Sequence, residues 1–219
     1  MAASNTALGY RHLFQNTQDR LRSRGITASL KVGPSVSIAD FEPLEAVAKL
    51  PIPSSLREFY LEVGNGLTFH WAVDLDRPSQ KFCRLNVPTL DQLLLGFSYL
   101  RMLNECLASH DFREAQDVEY ARRQFHRQLT YFPFLTANAD LLCIEPTSDR
   151  EAVVFCDHEW SDYPTGNSGV VLAESLHEFW RGWSQVGFVE PIEFWWPKAI
   201  RDRQAIWSEE NFGFRLEPA

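Results

Sequence analysis

The chain has 219 residues and a formal net charge of −8, and 45% of its residues are hydrophobic, including 16 Phe and 7 Trp. This composition is typical of a folded globular protein and excludes disorder over most of the chain, while the acidic balance argues against nucleic acid as the partner. The apolar runs are too short for a membrane span, and the amino-terminal sequence lacks the pattern of a secretory signal, so we expect a cytoplasmic protein with no membrane partner.

The amino-terminal part of the chain is predicted to contain one amphipathic helix, over residues 6–24. An apolar face recurs there at helical spacing and consists of Leu13, Phe14, Thr17 and Leu21. Gly25 would end this helix, because glycine readily leaves the helical conformation. Residues 26–38 alternate only in part and are interrupted by Gly33 and Pro34, which fits either a linker or an edge strand.

Two helices and a turn are predicted next. Asp40 is the expected N-cap of the first helix, which must stop before Pro51 because proline restricts the residue ahead of it. The sequence LPIPSSLREFYLEVGNG (residues 50–66) then predicts a second helix, in which Ser55 and Glu58 have the spacing of a capping box. Its core-facing side chains are Leu56, Phe59, Tyr60 and Val63. The Gly-Asn-Gly sequence would end the helix and turn the chain.

A hairpin and a helical stretch follow. Residues 67–73 and 81–87 both alternate between apolar and polar side chains, which predicts two half-buried strands joined as a hairpin. The inward-facing residues of the first are Leu67, Phe69, Trp71 and Val73. Thr89 is the expected cap of a helix that ends near residue 108, and a polar helix is predicted over about 112–129. Residues 96–130 would therefore form a helical insertion.

The strand pattern resumes near Phe132, and apolar runs at 141–145 and 152–156 predict two further strands. A polar loop over 157–167 and a short strand at 169–173 follow. Ser175 and Glu178 have capping-box spacing at the start of a helix with a strong apolar face. The remaining residues include Trp195, Trp196 and Trp207 but have weak periodicity, which fits a tail with one short helix.

These elements predict an α+β fold, with a mainly antiparallel twisted sheet of about 4–6 strands flanked by helices. We expect an amino-terminal helix and linker over residues 1–39 and the α+β domain over 40–187, with its helical insertion at 96–130. A Trp-rich tail over 188–219 is expected to pack on the domain. The sequence indicates no oligomeric state.

The order of these motifs resembles the SUKH superfamily, the Smi/Knr-type domain. The resemblance rests on LPIPSSLREFYLEVGNG, TLDQLLL, FPFLTANADLLCIE, the strand ending FCDHEW, and LAESLHEFW, and it covers residues 40–95 and 131–186. Two features depart from the family pattern: Ala137-Asn138-Ala139 stands where glycines are expected, and Glu145 stands where aspartate is common. Many bacterial members resemble immunity proteins that bind and neutralise a toxin, often a nuclease, and eukaryotic members are similar to scaffold or regulatory proteins.

The resemblance implies a protein-binding domain that has no catalytic residues, no cofactor and no metal. Residues 140–178 contain nine acids and one base, Arg150, and such a surface would steer a basic partner, such as a nuclease-type toxin domain. The candidate partner-binding residues are Asp140, Glu145, Asp157, Glu159, Trp160, Asp162 and Tyr163. An ordinary solvated acidic surface remains an alternative. A second functional hypothesis is an intracellular scaffold that docks its partner on the 96–130 helices.

A catalytic function finds little support in the sequence, which contains no HExxH motif, nucleophile elbow or phosphate-binding loop. The densest set of ligand side chains is Asp157, His158, Glu159 and Asp162, and a metal there would need Asp140 or Glu145 as well. A metal-dependent hydrolase is therefore a distant alternative. The four cysteines lie in or beside apolar stretches, so we expect reduced thiols, with a disulfide between Cys143 and Cys156 as the alternative if their strands are neighbours.

Overall fold

A computed structural model describes residues 9–73, 81–109, 119, 128–137, 140–146, 150–156, 169–189 and 207–216. The helices are α1 (Tyr10–Ser23), α2 (Glu42–Ala48), α3 (Ser54–Val63), α4 (Leu90–Ser109), α5 (Leu176–Gln185) and α6 (Glu209–Phe212), with a 3-10 turn at Ile38–Phe41 before α2. The strands are β1 (Ala28–Val32), β2 (Leu67–Val73), β3 (Lys81–Val87), β4 (Phe132–Ala137), β5 (Asp140–Pro146), β6 (Glu151–Cys156) and β7 (Val170–Ala173).

The strands form two antiparallel sheets, of order β1-β2-β3 and β4-β5-β6-β7. The α+β class is thus confirmed, but the described strands form two sheets where the sequence predicted one. Periodicity identifies a strand without identifying its neighbours, and α4 lies between the two sheets in chain order. The edge-strand alternative for residues 26–38 is confirmed, because β1 is an end strand of the sheet formed by the described residues and pairs there with β2.

The first sheet is buried on one face, as its alternation predicted. Leu67, Phe69 and Trp71 of β2 are at most 3% exposed. Val73, which was predicted to face inward, is 37% exposed instead. It is the last residue of β2 and pairs with Lys81, and its neighbour Phe82 is exposed too, so this end of the hairpin extends past the core.

The second sheet is buried on both faces, which explains why β5 and β6 are apolar runs and do not alternate. One face joins the main core through Leu142, Ile144, Val153 and Phe155. The other face forms a second cluster with α4, made of Leu141, Cys143, Val154, Cys156, Leu100, Leu103 and Tyr131. The long helix α4 therefore serves as the outer cover of this sheet.

The main core is an aromatic cluster where α1, α3 and α5 converge. The ring of Trp180, which is fully buried, lies 5.5 Å from Phe59, 5.4 Å from Phe14 and 5.7 Å from Trp183. Such pairs contribute about 0.5–1.5 kcal/mol each beyond area burial. The predicted face of α1 is buried as expected, so this helix, assigned to an extension from sequence, lies in the same core.

Two predicted helix caps are wrong. No side chain of α3 caps its amino terminus, which begins at Ser54, so Ser55 and Glu58 form no capping box. The carboxylate of Glu151, at the start of β6, accepts hydrogen bonds from the Ser54 and Ser55 backbone N–H groups (2.7 and 2.8 Å) and from the Ser54 hydroxyl (3.0 Å). Asp40 is not an N-cap either: it lies inside the 3-10 turn, whose N-cap is Ser37, and its carboxylate accepts a 2.7 Å bond from the Ser37 backbone N–H.

The caps of α4 and α5 are confirmed. Thr89 and Gln92 bond reciprocally: the Gln92 N–H donates to the Thr89 hydroxyl (3.3 Å) and the Thr89 N–H to the Gln92 side chain (2.9 Å). The Ser175 hydroxyl accepts from the Glu178 N–H at 3.2 Å. In addition, Asn65 accepts a 2.8 Å bond from the Leu90 N–H, so the turn after α3 also holds the start of α4.

Residues 207–216 pack against the main core. Phe212 and Leu216 are at most 1% exposed, and the Leu216 N–H donates to the Gln185 carbonyl at 2.8 Å. Trp207 lies directly on Gly182 of α5, since a Cβ atom on that glycine would be 2.1 Å from the indole nitrogen. Trp195 and Trp196, also predicted for this tail, lie outside the described residues.

Candidate partner-binding site

Two of the predicted partner-binding residues, Asp140 and Glu145, are buried. They lie on β5 and are 8% and 7% exposed, with Asp140 opposite Ala137 and Glu145 opposite Ala152. Burial and the nearby Asp140 carboxylate both raise the pKa of Tyr99 on α4. Neither carboxylate offers the exposed charge that the prediction required, because a strand buried on both faces encloses them. The other candidates, Asp157, Glu159, Trp160, Asp162 and Tyr163, lie outside the described residues.

The remaining described acids of the 140–178 stretch have different positions. Glu151 is half-buried and caps α3. Partial burial acts to raise its pKa, but the hydrogen bonds from Ser55 and Ser54 outweigh that effect and hold the pKa below its usual value. Glu174 and Glu178 are exposed. Glu174 pairs with Arg150, whereas Glu178 has no ion-pair partner among the described residues.

Glu174 and Glu178 line a groove of about 380 Å³, which we call the β7–α5 groove. Its lining is Val171, Leu172, Ala173, Glu174, Glu178, Arg181, Gly182, Gln185 and Trp207. β7 is an end strand in the described sheet, and its Val170 and Val171 are only partly buried. The groove thus combines two carboxylates and one cation, Arg181, with an apolar strand edge and a half-buried indole. These side-chain types can recognise a basic, aromatic-lined or extended protein surface.

A second depression, the α2–α4 groove, lies between the end of α2, one face of α4 and residues 128–131, and has a volume of about 480 Å³. Its floor includes Asn104, which is 4% exposed. The Asn104 Oδ1 atom is buried, and no described residue donates a hydrogen bond to it. Leaving a buried amide group unpaired costs about 1–3 kcal/mol.

The α2–α4 groove was missed from the sequence, although a signal was present. Leu93, Phe97, Leu100 and Asn104 share one face of α4 by their spacing, so an amide interrupts an otherwise apolar face. An interruption of this kind inside a helix that covers a core indicates either an internal partner or a ligand.

The described residues include three buried free thiols and no metal-ligand cluster. They contain no group of three or more His, Cys, Asp and Glu side chains able to hold a metal ion, and the predicted ligand set at 157–162 lies outside them. Cys143 and Cys156 are buried free thiols on neighbouring strands, where Cys143 lies opposite Val154 and Cys156 opposite Leu141. Burial, together with the Cys156 thiol, raises the pKa of Cys143, which disfavours a nucleophilic thiolate.

Comparisons with known proteins leave the resemblance to SUKH domains as a prediction. No protein-family model matches the chain, and no curated protein matches it. In the part of the chain that the structure describes, no helix has both the length and the apolar character needed to cross a membrane.

Proposed function

We propose that this chain is a non-catalytic cytoplasmic protein-binding domain that acts as an immunity protein, and that it binds and neutralises a cognate bacterial toxin through a basic surface of that toxin. The observation that carries the proposal is the β7–α5 groove, which places two exposed carboxylates beside a strand edge and a tryptophan. The resemblance of the motif order to that of SUKH domains supports the same function.

The groove provides separate contributions to rate and affinity. Glu178 lies in the first turn of α5 and is exposed, so its carboxylate would attract a partner's Lys or Arg during approach. Glu174 already pairs with Arg150, and a stronger bidentate partner cation would have to displace that contact. Trp207 supplies the large ring that typically anchors such an interface.

The test is capture of the partner from the native host, with the product of the adjacent reading frame as the first candidate. The wild-type chain should bind it and should rescue cells that express it. Glu178→Lys should weaken binding about tenfold, most strongly at low salt, because it reverses a charge at the interface. Glu42→Lys is the matched control, since Glu42 is also an exposed acid in the first turn of a helix but lies outside the groove.

Equal losses of affinity for Glu178→Lys and Glu42→Lys would show that the β7–α5 groove is not the binding site. Failure to capture a basic partner, together with no rescue of toxin-expressing cells, would overturn the immunity function itself. The measurement is the dissociation constant by titration calorimetry at two salt concentrations, with cell survival as the second readout.

One observation favours the scaffold alternative. Leu95 and Met102 of α4 are 70% and 47% exposed, and their spacing of seven places them on one side of the helix. A scaffold would use this apolar face for a partner that is not a toxin. In the same capture experiment, a partner lost on Leu95→Lys and kept on Glu178→Lys would identify this function in place of immunity.

A further inference from the structure

The α2–α4 groove has no lining residue in common with the β7–α5 groove. Its floor presents the Asn104 carboxamide, whose oxygen is buried without a partner in the described part of the chain. Leucine has nearly the same shape as asparagine and would fill this position among Leu100 and Leu103 with no unpaired atom. The amide therefore serves stability poorly, and its oxygen is positioned to accept a hydrogen bond from a ligand.

A second unusual residue lines the same groove. Lys49 follows α2 with a φ of 55°, in the left-handed region that favours glycine or asparagine. A lysine there strains the backbone, and strain of this kind concentrates at binding sites. Its side chain is exposed and forms no ion pair with any described residue.

The charges of the groove differ from those of the whole chain. Its described lining contains two cations, Lys49 and Arg101, and one acid, Glu105. None of the three has an ion-pair partner among the residues that the structure describes. In a chain with a net charge of −8, this groove is locally positive. Its charge is complementary to an acidic ligand and unfavourable for a basic one.

The walls of the groove are apolar. Leu94 and Phe97 are partly buried in them, while Val47 and Leu129, which also line the groove, are 56% and 50% exposed. Among the described residues, the groove runs along α4 from Leu94 to Glu105 and has a volume of about 480 Å³. This volume has room for a chain segment that packs one apolar side chain on these residues.

We propose that the α2–α4 groove binds an extended peptide of a partner protein, in which an apolar side chain is followed by acidic residues. The peptide's apolar side chain packs on Leu94 and Phe97, and a backbone N–H donates to Asn104 Oδ1. Its carboxylates meet Lys49 and Arg101. This acidic partner differs in charge from the basic partner proposed for the β7–α5 groove, so the two grooves serve different proteins.

The first test uses fluorescence polarisation with labelled, end-blocked octapeptides that carry Leu-Asp-Glu at their centre, and a matched set with Leu-Lys-Lys. The wild-type chain should bind the acidic set and not the basic set. Arg101→Glu should reverse this preference, because it changes the groove from two cations and one acid to one cation and two acids. Arg11→Glu, an exposed charge reversal on α1, is the control and should leave both affinities unchanged.

The second test separates a ligand role of Asn104 from a structural one. Asn104→Leu should raise the melting temperature by about 2–4 °C and weaken acidic-peptide binding at least tenfold. Lys49→Gly should have the same pair of effects, because glycine accepts the left-handed φ without strain. Loss of stability in Asn104→Leu with unchanged peptide binding would overturn the proposal. The proposal would also be overturned if the acidic peptides bound no more tightly than the basic peptides. The same holds if the Arg101→Glu variant kept the wild-type preference for acidic peptides.

Discussion

At the residue scale, several helices have their amino-terminal N–H groups bound by a side chain from another element. Glu151 of β6 binds α3, and Glu62 of α3 accepts bonds from Tyr10 and Arg11 at the start of α1 (3.0 and 3.1 Å). Asn65 does the same for α4. Each contact fills a role that a local N-cap usually fills, and each also joins two parts of the fold.

Glu151→Gln should destabilise the protein by about 1 kcal/mol at pH 7, because an anionic acceptor is lost at a helix amino terminus and solvent screens a half-exposed carboxylate. The folded-state pKa of Glu151 is lowered. Its contribution is therefore fully present above the unfolded-state pKa of about 4.3 and is lost as the pH falls through the lower folded-state pKa. Urea denaturation of both proteins from pH 7 down to acid pH measures this difference.

Glu58→Gln is the control for this prediction. Glu58 is the residue that the sequence pattern assigned to the cap of α3, but it makes no such contact, so its substitution should change stability by less than about 0.5 kcal/mol. A larger loss of stability for Glu58→Gln than for Glu151→Gln would indicate that Glu58 caps α3 locally. It would contradict the cap by Glu151.

At the element scale, the turn between α3 and β2 is held against the end of β1. The Gly33 N–H donates to the Gly66 carbonyl at 2.8 Å, and the Asn65 N–H donates to the Pro34 carbonyl at 2.7 Å. Gly64 and Gly66 have φ values of 120° and 89°, so the Gly-Asn-Gly sequence meets a backbone requirement. Glycine is required at position 33 for a steric reason, since a Cβ atom there would be 1.9 Å from the Asn65 carbonyl oxygen.

Gly33→Ala should destabilise the protein by at least about 3 kcal/mol, because the clash is with backbone that is fixed by two hydrogen bonds. Gly25→Ala is the comparison: its φ is 77° with nothing within 4 Å of the added Cβ, so only local strain of about 1–2 kcal/mol is expected. Thermal unfolding followed by circular dichroism measures the stability of both variants. Equal losses of stability would show that Gly33 is not closely packed against Asn65.

These elements show which parts of the fold the sequence could predict. The faces of α1 and α3 and the β2–β3 hairpin were predicted because periodicity is a local property. The Thr89 and Ser175 caps were predicted because their partners lie three residues away. The cap of α3 could not be predicted in this way, since Glu151 is 97 residues from Ser54. The division into two sheets could not be predicted either, since strand pairing is also a long-range property.

The candidate site was less predictable than the fold. Counting acids located the 140–178 stretch, and Glu178 of that stretch is exposed in a groove. The same count could not distinguish Glu178 from Asp140 and Glu145, which are buried because their strand is covered on both faces. Burial depends on which element covers a strand, and in this protein the cover is α4, some 40 residues earlier in the chain.

At the scale of the whole molecule, residues 207–216 complete the core from outside the 40–187 segment. Trp207 stacks on Phe212 and contacts Phe179, with ring centroids 5.6 Å apart in both pairs. Phe214 lies 4.6 Å from Trp71 of β2, and Arg24 after α1 donates to the Arg215 carbonyl at 2.9 Å. This segment therefore contacts both the first sheet and α5.

Gly182→Ala tests this packing through the sign of its effect. In an exposed helix the change would stabilise by about 1 kcal/mol, because alanine has the higher helix propensity. Here it should destabilise by about 1–3 kcal/mol, since the new methyl group displaces Trp207 from α5. In a Trp207→Ala background the clash is absent, so the same change should become neutral or stabilising.

The measurement is a double-mutant cycle in urea, with tryptophan fluorescence as the probe. Additive effects of Gly182→Ala and Trp207→Ala would show that the indole does not rest on α5. A coupling energy above about 1 kcal/mol would show that Trp207 and Gly182 are in direct contact in the folded protein.

The position of Trp180 also has a consequence for synthesis on the ribosome. Phe14 and Phe59 both pack on this ring, yet about 120 residues must be translated between Phe59 and Trp180, which takes on the order of ten seconds at typical rates. During that interval Phe14 and Phe59 lack the Trp180 ring on which they pack in the folded protein. Apolar surface exposed in this way favours aggregation, so we expect slower translation to lengthen the period in which the nascent chain is vulnerable.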